Sequence, residues 1–174
     1  MKKIWLILYF IPLFAIGQYF EGSVHDFELS GNNECDICHK KNKLRVHYVY
    51  TLYQSPSINA IIYQPQSGSK ECLECHNGLN ISIPSLSQCT NFGMNLSNHH
   101  PISLKYDDNL AFRDGELHFP SSRMSGMGST IENDLLNGGM LECVSCHDVH
   151  GSQFPHLLKI SNYRSALCLT CHNK

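Results

Sequence analysis

Four times along 174 residues the chain repeats one tetrad, Cys-x-x-Cys-His, and few other features constrain a fold so tightly. The copies are Cys35-Asp-Ile-Cys38-His39, Cys72-Leu-Glu-Cys75-His76, Cys143-Val-Ser-Cys146-His147 and Cys168-Leu-Thr-Cys171-His172. On one helical turn residues i and i+3 share a face, so both sulfurs of a pair reach one edge of a flat ring. The adjacent imidazole then swings under the centre of that ring. This is the attachment pattern of c-type haem, in which two thiols bond covalently to the porphyrin and the His supplies an axial iron ligand. Four tetrads predict four haem c groups, each with its iron.

Rival chemistries account for less. His is 11 of the 174 residues, so chance would place one after a given CxxC only about 6% of the time. Paired CxxC units also build zinc ribbons, but nothing in a thiolate zinc site requires a His after every pair. A thioredoxin-like redox motif expects one CxxC inside a βαβ pattern, and no such pattern is visible.

The N-terminus reads as an export signal. Lys2 and Lys3 precede an apolar run over residues 4–16, interrupted by Pro12, and Ala15-Ile16-Gly17 offers a small-residue cleavage site. The expected division is a signal peptide over 1–17 and a single tetrahaem domain over 18–174. The run is short for a membrane span, so no span is expected after leader removal; an uncleaved anchor is the alternative. Export to the periplasm or cell surface agrees with thiol chemistry carried out beyond the reducing cytosol. The formal charge of −2 and the lack of a basic run argue against nucleic acid.

The remaining chain is poor in the apolar residues an ordinary core needs. Four haems would leave roughly 39 residues for each macrocycle, so the porphyrins themselves are expected to supply most of the core. The expected fold class is an irregular, haem-cored multihaem cytochrome of short α-helices and long loops, with little or no β. Residues 46–53 are β-prone, Leu135 to Asn137 ahead of Gly138 and Gly139 reads as a helix end, and Tyr163 to Thr170 as a short helix delivering the last motif. Motif spacing gives two haem pairs, over 35–76 and 143–172, joined by a bridging segment over 77–142.

Seven histidines remain after the proximal four: His25, His47, His99, His100, His118, His150 and His156. Four would close the four irons, and closed bis-His iron suits electron transfer rather than catalysis. His150 follows His147 by three residues, and His100 is fixed by the following Pro101. With His25 and His47 they form the expected distal set; His99, His118 and His156 are the surplus. Met94 is the thioether alternative, and Cys89 reads as a free or buried thiol. The enzyme reading is a multihaem reductase or oxidase of a small inorganic substrate, which would need one open iron.

Several stretches taken together carry a family resemblance. They are His25-Asp-Phe27, Tyr50-Thr-Leu-Tyr-Gln-Ser-Pro56, Cys72-Leu-Glu-Cys-His76, Leu96-Ser-Asn-His-His-Pro-Ile-Ser103, Cys143-Val-Ser-Cys-His-Asp-Val-His-Gly151 and Ser165-Ala-Leu-Cys-Leu-Thr-Cys-His-Asn-Lys174. The chain resembles exported tetrahaem cytochromes with doubled CxxCH motifs, including the OmcE-type cytochromes that polymerise into extracellular haem wires. That resemblance implies bis-His haems in alternating parallel and T-shaped contacts. It also implies redox-protein partners, head-to-tail self-association and, in filament-forming relatives, a His of one subunit ligating a haem of the next. Relatives often carry a His three residues past the first motif, where this chain has Asn42. His25 lies on an N-terminal arm that either reaches a neighbouring subunit or folds back on its own first haem.

Overall fold

A computed structural model describes His25, residues 38–39, 48–54, 60, 62–66 and 68–78, and all of 91–174. The leader, Cys35, His47 and Cys89 lie outside the described residues.

The fold is irregular: short helices joined by long loops. The longest described helix, α1 (Ser69–His76), carries the second tetrad. It begins at Gly68, whose φ of 86° few side chains tolerate; a Cβ there would also stand 2.9 Å from Val144 Cγ2. The glycine therefore lets α1 start hard against the third motif.

The bridging segment builds a small apolar core of its own. Helix α2 (Asp108–Asp114) starts at Asp107, whose Oδ1 accepts the Leu110 N–H at 2.9 Å, and stops at Gly115 in the left-handed region. It turns Leu110 and Ala111 inward. There they meet Ile131 of α3 (Ile131–Asp134), together with Leu104, Tyr106, Leu135 and Leu136. Seven buried residues form this cluster, an apolar core that the bridging segment adds to whatever the cofactors bury. A second cluster joins Tyr50, Leu73 of α1 and Leu96, with Met94 packed against it. Met94 has a packing role there.

Strand structure is sparse, as the composition predicts. Among the described residues the named strands are β1 (Leu104–Lys105) and β2 (Met140–Leu141), paired antiparallel with Leu104 opposite Leu141. The described part of the β-prone stretch contributes an isolated bridge, Thr51 to Asn95. Its Tyr50 packs on Leu73 and Leu96. The ribbon matters because β2 leads straight into α4 (Cys143–Cys146), the third tetrad. The last tetrad sits on α5 (Ala166–Cys171), preceded by a 3₁₀ turn at Tyr163–Ser165. Arg164 and Ser165 both have positive φ (52° and 62°), so the helix expected from Tyr163 onward is broken into two at this point.

Candidate haem-binding site

The third and fourth tetrads share one local geometry. In each, the two cysteines close a single helical turn and the His is the first residue beyond it. His147 and His172 are extended, at φ −110°, ψ 139° and φ −94°, ψ 144°. Each backbone N–H still donates to the first Cys carbonyl of its tetrad, at 3.0 Å to Cys143 and 2.9 Å to Cys168. The sulfurs stay on the turn while the imidazole is thrown off the axis. In the second tetrad His76 is instead the last residue of α1. Of the first tetrad, Cys38 and His39 are described, both helical.

The attachment cysteines of different motifs lie close together. The Cys72 thiol on α1, which donates to Gly68 O at 3.0 Å, neighbours the Cys143 thiol on α4, and their interaction holds Cys143 down at about 7 while Cys72 is held up. Cys38 adds to the upward push on Cys72. Burial raises Cys171 to about 11, with Cys146 and Cys168 adding to it. The second motif is thus packed against the third, with Ser69 Oγ accepting the Cys143 N–H at 2.9 Å.

The histidines are placed in opposed pairs. His25 and His76 have ring centroids 6.2 Å apart, His39 and His150 6.1 Å, and His100 and His172 6.3 Å. An imidazole nitrogen bonds a metal at about 2.0–2.1 Å and lies roughly 1.1 Å from its ring centre, so two imidazoles on opposite faces of one ion have centroids about 6.2 Å apart. All three pairs meet that separation, and each contains one tetrad His and one His from outside the tetrads. Rotation about the common axis leaves the interplanar angle free, which accommodates the observed 49°, 18° and 83°. A tetrahedral zinc site asks for three or four converging donors; among the described residues no group of three His, Cys, Asp or Glu converges in that way. The donor set fits a haem iron that His76 with His25, His39 with His150 and His172 with His100 would hold, the iron supplying one-electron chemistry.

Backbone and carboxylate partners turn the rings. His100 Nδ1 lies 3.0 Å from Pro101 O and His147 Nδ1 2.9 Å from His156 O. A carbonyl only accepts, so Nδ1 carries the proton in both rings and Nε2 is left to ligate. Asp148 Oδ1 accepts the His150 N–H at 2.9 Å and lies 3.8 Å from its Nδ1. Burial, reinforced by neighbouring imidazoles, holds His25 and His172 below the ordinary His value, which favours the neutral form a metal requires.

Of the expected distal ligands, His25, His100 and His150 are thus each opposite a tetrad His, and His47 lies outside the described residues. The His25 ring lies 6.2 Å from that of His76 in its own chain, and not against His39 of the first motif. His156 serves through its carbonyl, presented by a backbone at φ 60°; sequence reading had weighed only its ring. His118 is fixed by its backbone beside the fourth motif, its N–H donating to Cys171 O at 2.8 Å and its carbonyl accepting the Tyr106 hydroxyl at 2.6 Å. The His99 ring packs edge-on against Phe92, 5.1 Å away.

Residues 136–174 match the protein family described as Doubled CXXCH motif, and that segment holds both the third and the fourth tetrads. The match supports a multihaem c-type cytochrome. Its motifs indicate covalently bound haem c with iron and fit an electron carrier. No curated protein matches the chain. Among the described residues no helix is long and apolar enough to cross a membrane.

Proposed function

We propose that this chain is an exported electron-transfer protein carrying four haem c groups, each closed by two imidazoles. Cys35 and Cys38, Cys72 and Cys75, Cys143 and Cys146, and Cys168 and Cys171 attach the macrocycles. His39, His76, His147 and His172 are the proximal ligands. The distal partners are His150 for His39, His25 for His76 and His100 for His172, with His47 assigned to His147. The observation that carries this reading is the shared separation of three imidazole pairs, 6.1 to 6.3 Å, each joining a tetrad to a His from elsewhere in the chain.

Bound haem supplies one-electron chemistry. The four cysteine pairs would hold such groups, and an imidazole from each side of an iron would leave no site there for substrate. Contact between the Cys72 and Cys143 thiols favours close approach of the groups on α1 and α4. The chain's partners are then redox proteins, and head-to-tail association with further copies is the partner reading that the sequence resemblance supports. A reductase or oxidase would keep one iron open to its substrate.

The test is a pyridine haemochrome spectrum of the purified protein with its intact mass. Four haems per chain that survive acid acetone are expected. Fewer than four, or haem extracted by the solvent, would overturn the assignment.

A further inference from the structure

A carboxylate lies at the junction of the second and third motifs, and the function above does not use it. Glu142, immediately before Cys143, is 3% exposed. Its Oε2 accepts hydrogen bonds from two hydroxyls of distant segments, Ser69 at the start of α1 and Ser103, the latter at 3.0 Å. Ser69 and Ser103 are themselves 0% exposed. Ser69 Oγ also accepts the Cys143 N–H at 2.9 Å, and Ser145 Oγ accepts the Glu142 N–H at 2.9 Å. One side chain therefore ties α1, α4 and the loop before β1 together, three residues from Cys72 and one from Cys143.

The surroundings make this charge costly and keep it in place. Both hydroxyl donors are neutral, so they share the charge without cancelling it. Burial raises the carboxyl above its ordinary value and nearby Glu71 adds to that, while the two hydroxyls pull it back. Ser103 holds a left-handed backbone at φ 59°, anchored by its N–H to Leu141 O at 2.6 Å and by its carbonyl to the Tyr63 N–H at 2.8 Å. Strain of that kind in a non-glycine residue persists only where the surroundings over-determine it.

We propose that Glu142 sets the redox balance of the two haems held on α1 and α4: its buried negative charge opposes electron uptake there, and its bonds to Ser69 and Ser103 fix the two motifs together. The physical basis is Coulombic. An arriving electron adds a second negative charge in a region where water screens little. This inference rests on the haem reading above.

The experiment is a spectroelectrochemical titration of the haem-loaded full chain, wild type against Glu142→Gln. Gln keeps the shape and accepts from the same hydroxyls but removes the charge. At fixed solution potential two of the four haems should gain about tenfold in reduced-to-oxidised ratio, equal to about 59 mV for a one-electron couple. Glu132→Gln, which removes the same formal charge from an exposed position on α3, should leave all four where they were. If Glu142→Gln loses haem, Ser103→Ala serves instead, titrated at alkaline pH where the carboxyl stays ionised: the carboxylate loses one of the two dipoles that share its charge, and the same two midpoints move down. Midpoints unmoved in these variants, or four moving together, overturn the proposal. A wild-type chain without four covalent haems would fail the functional reading instead, a distinct outcome of the same preparation.

Discussion

The imidazoles of His100 and His172 stand 6.3 Å apart at 83°, although one lies in a loop after α1 and the other just past α5. His100 donates its Nδ1–H to Pro101 O and so turns its Nε2 outward. His172 is thrown off α5 by an extended backbone. Replacing His100, His25 or His150 singly by Ala should each convert one low-spin iron to high-spin and let the reduced protein bind carbon monoxide at that site, with covalent haem retained. The equivalent changes at His99, His118 and His156 should leave every iron low-spin. Optical and paramagnetic resonance spectra of the six variants check this.

The His25→Ala variant carries a further consequence. Because His25 faces His76 of its own chain, its loss should open one iron at any protein concentration. A ligand donated by a neighbouring subunit would instead make the high-spin fraction of the wild type grow on dilution. Spectra over a dilution series distinguish the two.

Gly68 is the backbone position at which α1 meets α4. A Gly68→Ala chain meets both a positive φ and the Val144 side chain at 2.9 Å. It should lose about 1–3 kcal/mol of stability, and with it the fixed distance between α1 and α4. Denaturant unfolding measures the first loss; the wild-type pattern of haem–haem coupling in the ferric spectrum should change with it.

Asp107 gives a pH signature away from the haems. The Lys105 ammonium at 2.9 Å and the Leu110 N–H hold its carboxyl below the ordinary value. A group depressed on folding stabilises above its unfolded value, near about 3.9, and that contribution fades as pH falls through the lower folded value. Asp107→Ala should therefore cost about 0.5–2 kcal/mol at neutral pH and nothing once the carboxyl is protonated in both states. Paired unfolding curves from neutral to acidic pH show whether the difference closes in that direction.

The tetrads were readable in the sequence because their chemistry is local: two sulfurs and an imidazole are placed by one turn of backbone. His100 was readable too, since the Pro that follows it restricts the backbone. The pairing of His25 with His76 was not, because the two lie far apart in the sequence and no short-range pattern encodes it. The apolar core around Ile131 was missed for a related reason. Its members come from three short stretches, around Leu104, Leu110 and Ile131, none with enough periodicity to register as amphipathic. Glu142 offers no signal at all in the sequence, where a lone Glu before a Cys reads as a surface residue; only the fold brings Ser69 and Ser103 to it. The break at Arg164 and Ser165 likewise has no glycine to announce it.

Closed coordination at every iron is the central claim, and a paramagnetic resonance spectrum of the fully ferric, unmodified protein tests it most directly. Four low-spin centres integrating to four spins per chain, with no high-spin signal, is the predicted result. A stoichiometric high-spin centre in the unmodified protein would contradict it, and would return the open-iron reductase to first place.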